Sequence, residues 1–362
     1  MRVAVLGAGG TIARAIVRDL AQSPEVSDLA LIDLDLPAAQ RVAEDQSAGK
    51  GRAVGVDGSD RLAEAIDGCA VLVNAASYRI NLDAMEAALA VGCHYVDLGG
   101  LYWMTARQLE LDERFIAANL VGVLGMGAAP GKTNVMAARA VRELGGERPD
   151  EILISAAGRD PVVGDRLRLP YALRTLIDEL TMAAVVLRDG AAVELPALSS
   201  GGLVDFPEPI GPAETIYTLH SELQTLGRSF GVQRASFRLS LPPALLGRLE
   251  GLLDADEDEL AAVAAASVPP SELAIAAHVV EARSARRVAR ITAVTRPHEA
   301  WGLGGGIVST AAPAAAVVRL IARGRIEPVG VLPPEDCVEP DDLFPELEQR
   351  GCTFAVEVGE LV

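Results

Sequence analysis

The apolar positions of the N-terminal third alternate between two arrangements. Val3-Ala4-Val5-Leu6 is a short aliphatic run, as expected of a strand buried on both faces. Ile12, Ile16, Val17 and Leu20 then recur at helical spacing. The alternation continues. Strands are expected at Asp28–Asp33, Arg52–Val56, Ala70–Val73, His94–Leu98 and Val121–Gly125. Between them, helices are expected at Pro37–Gln46, Arg61–Ile66, Asn81–Val91 and Thr105–Asn119. Six strand–helix units in succession predict a doubly wound parallel sheet of Rossmann type, an α/β fold.

Beyond Pro149-Asp150 the pattern changes. Strands at Glu151–Ala157, Ala191–Glu194, Gln233–Leu241 and Ala285–Val294 predict an inserted mixed α/β second domain with an antiparallel sheet. Helices are expected at Leu169–Val186, Glu214–Thr225, Pro243–Leu253, Asp258–Ala266 and Pro270–Ala277. The run Gly302-Leu303-Gly304-Gly305-Gly306 opens a long alanine-rich helix, Ile307–Arg323, read as the return to the first domain. The expected division is 1–130 with about 302–362 for the first domain, and 131–301 for a substrate-binding and dimerisation domain.

Within this frame Gly7 and Gly9 sit between a strand and a helix, the setting of a dinucleotide fingerprint. A pyrophosphate would rest on the turn and helix N-terminus formed by Gly7, Gly9, Gly10, Thr11 and Ile12. Ile12 replaces the small third residue of the pattern, and Ala13 is the neighbour able to take over close helix packing. Asp33 closes the second strand about twenty residues further on, where an acid binds the adenosine ribose hydroxyls. Leu34 and Asp35 follow it, with no arginine to receive a 2′-phosphate, so NAD is favoured over NADP. Ligands of such sheets bind outside the carboxyl ends of the strands, which puts Gly7, Asp33, Asp57, Asn74, Asp97 and Gly127 along one edge.

Composition narrows the class. The 362 residues are half apolar, enough for two cores, with no continuous apolar run of bilayer length. One arginine and then a strand open the chain, unlike a signal peptide, so a cytoplasmic protein is expected. Cys69, Cys93, Cys337 and Cys352 show no metal spacing and read as reduced, buried thiols, and no metal site is expected. A net charge of −18 and 4% aromatic residues argue against nucleic-acid and anionic-membrane partners. Asp254–Glu259 reads as a solvated loop and helix start.

Several segments together resemble a known family. These are Asn74, Tyr78 and Asn81, the segment His94-Tyr95-Val96-Asp97-Leu98-Gly99-Gly100, and the turn Ala129-Pro130-Gly131-x-x-Asn134. Leu176–Thr181, Gly211–Glu214, Thr218–Glu222, Arg228-Ser229-Phe230 and Gly324–Glu335 agree. The chain resembles the saccharopine dehydrogenase group, and more closely its lysine 6-dehydrogenase-like branch. The resemblance implies a nicotinamide cofactor, interconversion of amine and imine in a small amino-acid substrate, and an inserted domain that caps the cleft and often forms a homodimer. Lys132 stands where lysine dehydrogenases tend to have an apolar residue.

Oxidising an amine needs a proton acceptor beside the amine and donors for the substrate carboxylate. Asp97, at its strand end, is a candidate to hold the substrate ammonium, or else a turn cap. Asn74 and Ala75 are expected against the nicotinamide ribose, with Tyr78 and Asn81 lining the pocket. His220, with Tyr217 one turn before it on the expected helix, is the candidate for proton transfer. Arg228 and Lys132 are candidates for the carboxylate, with Tyr171 and Arg174 nearby on the second domain's first helix. A surface ion pair is the other reading of Arg228, and a turn cap that of Lys132. Two functions compete with the amine dehydrogenase: a reductase of saccharopine or carboxyspermidine type, condensing an amine with a keto acid or aldehyde, and a non-catalytic dinucleotide-binding sensor or scaffold.

Overall fold

The computed structural model describes residues 1–58, 61–162 and 164–361. The chain divides into two compact units, Met1–Val135 with Thr310–Glu346, and Met136–Ser309 with Leu347–Val362. The strands are numbered in chain order. The first unit contains β1 (Arg2–Leu6), β2 (Asp28–Asp33), β3 (Gly51–Gly55), β4 (Val71–Asn74), β5 (His94–Asp97), β6 (Val121–Val123) and β15 (Gly330–Leu332). They form a seven-stranded sheet in the order β15-β6-β5-β4-β1-β2-β3, with every pairing parallel.

Side chains alternate across the strands, so Ala4, Leu6, Ile32, Leu72 and Tyr95 share one face. That face packs on Ala84, Met85 and Ala88 of the helix Asn81–Val91 and on Ile66. Each aliphatic side chain fully buried this way contributes about 1.5–3 kcal/mol. The expected helix Thr105–Asn119 is instead two, Leu101–Leu109 and Asp112–Ala117. The helix Gly305–Ala322 has the length and composition of a membrane span despite its charged Arg319, but 78% of it is buried inside the protein. It is a core helix. Within the first unit Arg319 is buried with Asp19 (2.9 Å), Glu346 (2.8 Å) and Ser23 (3.1 Å), so one guanidinium ties three segments.

The second unit contains β7 (Glu151–Arg159), β8 (Ala184–Arg188), β9 (Ala191–Leu195), β10 (Ser200–Asp205), β11 (Pro212–Tyr217), β12 (Arg234–Ser240), β13 (Ile275–Arg283), β14 (Arg287–Thr295) and β16 (Cys352–Glu360). The main order is β10-β11-β12-β7-β13-β14-β16, and β8 joins β9 to β12. The sheet is mixed rather than antiparallel as expected, because β7 and β12 pair in parallel from Glu151↔Arg234 to Ala157↔Ser240. The long intervening segment supplies the crossover that parallel neighbours require.

Three expected helices are corrected. Leu169–Val186 holds a helix only over Leu173–Thr181, and the β-branched Val185-Val186 then enter β8. Glu214–Thr225 is largely β11 followed by a 3₁₀ turn at Ser221–Gln224. Pro270–Ala277 runs into β13. The C-terminal boundary also moves: β16 pairs with β14 along its whole length, which puts residues from Leu347 onward in the second unit, not the first. The helix Leu173–Thr181 buries Leu173, Leu176, Ile177 and Leu180 against Leu249 and Leu260. The four cysteines are free and buried, and Asp256 caps its helix by accepting from the Glu259 amide (2.9 Å).

Replacing Arg319 by alanine removes the cation bound to buried Asp19 and one of the two bound to Glu346, which keeps Arg323 (2.6 Å), a change that costs about 3–5 kcal/mol. Urea unfolding of Arg319→Ala is therefore expected to show a loss of that size. A loss below about 1 kcal/mol would contradict a structural role for the triad.

Candidate functional site

The first unit's edge begins at the glycine turn. Gly7 has φ +76, and a Cβ there would lie 2.8 Å from the Cα of Ala76. A Cβ on Gly9 would lie 2.8 Å from the Cβ of Ala38 and 3.1 Å from Asp33 Oδ2. Only glycine fits at either position. Gly10 is the N-cap of the helix Thr11–Ala21 and contributes no side-chain cap, and the first turn of that helix carries no acidic residue. Ala13 is buried, whereas Ile12 is half-exposed, so Ala13 does the close packing that the missing third glycine would otherwise allow.

Asp33, at the end of β2, accepts from the Gly9 amide through Oδ2 (2.8 Å) and from the Asp35 amide through Oδ1 (2.9 Å). This holds its carboxylate beside the turn. Leu34 is 82% exposed, and Asp35 accepts from Ala38 N at 3.0 Å to cap the next helix. These residues fit a dinucleotide: a phosphate seat without side chains, and an acid fixed next to it. Asp57, beyond β3, is exposed and paired with Arg61 (3.1 Å).

On the other half of the edge the expected contacts prove to be ties. Asn74 accepts from Ala76 N through Oδ1 (3.1 Å) and donates through Nδ2 to Asn81 Oδ1 (2.9 Å) and Tyr95 Oη (3.3 Å). The Ala75 amide donates to the Leu6 carbonyl (3.0 Å). Asp97 is completely buried. Its Oδ1 accepts from Gly99 N (2.9 Å) and Gly125 N (2.6 Å), and its Oδ2 from Gln108 Nε2 (2.6 Å) and Asn81 Nδ2 (3.3 Å). Burial pushes the Asp97 carboxyl up and these donors oppose the shift. With both oxygens engaged, Asp97 does not hold a substrate ammonium; it anchors the loops that follow β5 and β6. Leu101, just beyond, sits at φ 54, a left-handed strain of about 1–3 kcal/mol. Gln108 and Tyr95 were missed by sequence reasoning, which read only strand ends.

Lys132 is completely buried at the start of the helix Lys132–Glu143. Beside it, Asn134 accepts from Gly131 N (2.8 Å) and donates to Glu335 Oε2 (2.7 Å). Tyr78 is half-buried in a short 3₁₀ helix, and the Arg79 guanidinium lies 4.8 Å from its ring centroid.

The second unit is described separately. His220 is buried, stacked on Phe237 at 3.5 Å between ring centroids, and hydrogen-bonded through Nδ1 to Glu222 Oε2. Tyr171 donates its hydroxyl to Glu179 Oε2. Burial alone would lower the His220 imidazole, but the carboxylates of Glu222 and Glu179 outweigh it and hold it above its ordinary value. Burial pushes Glu179 up to about 7, assisted by Glu222 and Asp178. Phenol, carboxyl, imidazole and carboxylate thus form one electrostatically coupled array able to hold a proton near neutrality.

Glu179 was also missed. It falls among the buried leucines of its helix, and an acid on an apolar stripe was the available signal.

Tyr217 is not part of this array. It pairs with Arg238 across β11 and β12, whereas His220 stacks on Phe237, the preceding residue of β12, whose side chain points to the opposite face. The expected helix that aligned Tyr217 with His220 is a strand, and the alignment fails with it. Arg174 is engaged by Glu257 (2.6 Å) and Asp178 (3.3 Å), so its guanidinium is already occupied by carboxylates. Arg228 is exposed on the short helix Leu226–Phe230.

Residues 3–123 match the family model described as the saccharopine dehydrogenase NADP binding domain. Across the whole chain the fold is similar to that of apo saccharopine dehydrogenase (L-Glu forming) from Saccharomyces cerevisiae, at TM-score 0.72 and 14% identity, covering 99% of each chain. A probable dehydrogenase from Thermotoga maritima (TM-score 0.46, 13% identity, 96% of this chain and 93% of that one) is less similar. So is UDP-N-acetylglucosamine 3-dehydrogenase from Acidithiobacillus ferrooxidans (0.43, 13% identity, 97% and 95%). Neither carries an argument about this chain. The family model thus meets the sequence resemblance to the saccharopine dehydrogenase group over residues 3–123, and the whole-chain likeness is one of fold; neither reaches the lysine 6-dehydrogenase branch.

Because Glu179 is raised from 4.5 to about 7 in the folded protein, its protonation supports the fold below pH 4.5, and that support is lost as pH rises toward 7. Glu179→Gln stays neutral throughout. The melting temperature of Glu179→Gln minus that of the native protein is expected to grow by several degrees between about pH 4.5 and 7, then level off. A difference constant across that range would show that Glu179 keeps an ordinary pKa.

Proposed function

We propose that the chain is an NAD-dependent oxidoreductase acting on the amine-bearing carbon of an amino acid. It takes amine to imine in one direction and reduces imine in the other. The observation that carries the cofactor half is the bond from Gly9 N to Asp33 Oδ2, which sets a carboxylate against the phosphate-binding turn. The family match supports a nicotinamide dinucleotide of either kind. The reading goes to NAD because a carboxylate held there attracts ribose hydroxyls and repels a 2′-phosphate. Gly7, Gly9, Gly10 and the first turn at Thr11 and Ile12 would hold the pyrophosphate. When bound, the dinucleotide supplies the hydride acceptor or donor.

The rest of the reading belongs to the chain's own side chains. An amine must lose a proton before it can give up hydride, and a neutral imine must gain one. The coupled array of His220, Glu222, Glu179 and Tyr171 is our candidate for that proton, with His220 Nε2 as the exchanging atom because Nδ1 faces Glu222. Lys132 is our candidate for the substrate carboxylate, and Arg228 its alternative. A second reading, reductive condensation of an amine with a keto acid, is favoured by the whole-chain likeness to a saccharopine dehydrogenase. A homodimer is proposed from the family resemblance alone.

The test is spectrophotometric. Purified protein is offered NAD or NADP with lysine, ornithine, arginine and simple diamines, then NADH with an amine and a keto acid together. Reduction with one amine alone establishes a dehydrogenase and names its substrate. Oxidation only with both co-substrates establishes the condensing reductase, and binding without turnover a sensor. Asp33→Ala is expected to weaken NAD binding at least about tenfold, the loss of a charged hydrogen bond. Unchanged affinity by titration would remove Asp33 from the cofactor site.

A further inference from the structure

The amide network behind β4 and β5 has only one consistent orientation, and backbone groups set it. The Ala76 N–H can only donate, so the Asn74 atom facing it is the oxygen. Asn74 Nδ2 then faces Asn81, whose near atom must be Oδ1. Asn81 Nδ2 in turn faces Gln108 Oε1 (3.2 Å), leaving Gln108 Nε2 directed at Asp97. From the other side two more backbone donors, Gly99 N and Gly125 N, arrive at Asp97 Oδ1. Each oxygen of Asp97 therefore receives two N–H donors, a set that favours the ionised carboxylate.

The carboxylate that results is a negative charge with an unusual setting. It is completely buried, and among the described residues its partners are neutral: two backbone amides, two side-chain amides and the Tyr95 hydroxyl. A buried charge without a counter-ion is costly, and hydrogen bonds offset that cost only in part. A cation close to Asp97 in the working protein would offset that cost.

Its position indicates which cation. Leu6, Asn74 and Asp97 lie in register across β1, β4 and β5. Asp97 is thus two strand spacings, about 10 Å, from the end of β1, on the side away from Asp33. In a sheet of this strand order the dinucleotide straddles the β1 switch point. With its adenosine half toward Asp33, its nicotinamide half lies toward β4 and β5. Oxidised nicotinamide carries a positive ring and the reduced ring is neutral.

We infer that Asp97 is the buried counter-charge of oxidised nicotinamide, and that it biases the first unit toward binding the oxidised dinucleotide. The inference rests on the dinucleotide reading proposed above and adds a residue that acts through space without touching the ring. A buried unit charge within about 10 Å of a cationic ring shifts an affinity on the order of tenfold. The bias acts only on the ring's charge state, so a merely structural Asp97 would weaken both forms equally.

The experiment is titration of the purified full chain with NAD⁺ and with NADH by calorimetry, or with the phosphorylated pair if only that pair binds. Native protein is expected to bind the oxidised form at least as tightly as the reduced one. Asp97→Asn, checked by circular dichroism, breaks the donor network and is expected to weaken both forms, with NAD⁺ losing on the order of tenfold more than NADH. Equal losses for the two forms overturn the inference. Should Asp97→Asn not fold, the native ratio decides: tighter binding of the reduced form overturns the inference. If native protein binds neither form, the dinucleotide reading itself fails.

Discussion

The working edge of the first unit depends on a single satisfied anion in its interior. Asp97 draws the turn after β5 and the turn after β6 onto one carboxylate, and the Met126 amide adds a bond to the Asp97 carbonyl (2.6 Å). The left-handed Leu101 is tolerated because the turn it closes is already fixed on both sides. Such a network rigidifies only if every member is paired, since each buried amide left unmatched would cost about 1–3 kcal/mol. The other half of the edge is built in the opposite way. There the glycines give up side chains altogether, and one half-buried carboxylate, Asp33, is held beside them by the Gly9 amide.

The second unit applies the same physics with a different outcome. Around His220 the groups outnumber the protons that would make them all comfortable: two carboxyls and one imidazole, buried together. At Asp97 four fixed donors oppose the upward push of burial, whereas Glu179 is raised by burial until its proton is easily exchanged. The contrast separates a structural carboxylate from one able to take part in proton transfer, and it comes from the donors supplied, not from depth of burial.

The parallel sheet was readable in the sequence because each strand is a short aliphatic run between helices of clear period, and because Gly7, Gly9 and Asp33 have roles set by backbone geometry. Their side chains, or lack of them, meet local partners. Asp97 and Asn74 were placed correctly at strand ends, and the turn-cap reading of Asp97 holds at Gly99, but their ties to Gln108 and Asn81, 11 and 7 residues away, went unread because no pattern announces a pairing. In the second unit Thr215, Ile216 and Tyr217 belong to a strand whose neighbours, Arg238 and Leu239, come from a later segment. The helical spacing linking Tyr217 to His220 was an accident of composition that tertiary pairing overrode. Strand β16 went unread because both its faces are largely exposed, which removes the apolar alternation that marks most strands.

That last strand has a consequence for how the molecule comes into being. Each unit is assembled from two separated stretches: the first needs residues 310–346 to gain β15, and the second needs residues 347–362 to gain β16. A chain emerging from the ribosome therefore cannot complete its N-terminal unit and then start the next, as a simple tandem protein does. Both sheets wait, with an edge strand missing, until more than 300 residues are out. The exposed borders β6 and β14 are then open to wrong partners, and the interleaved order exchanges sequential folding for late closure.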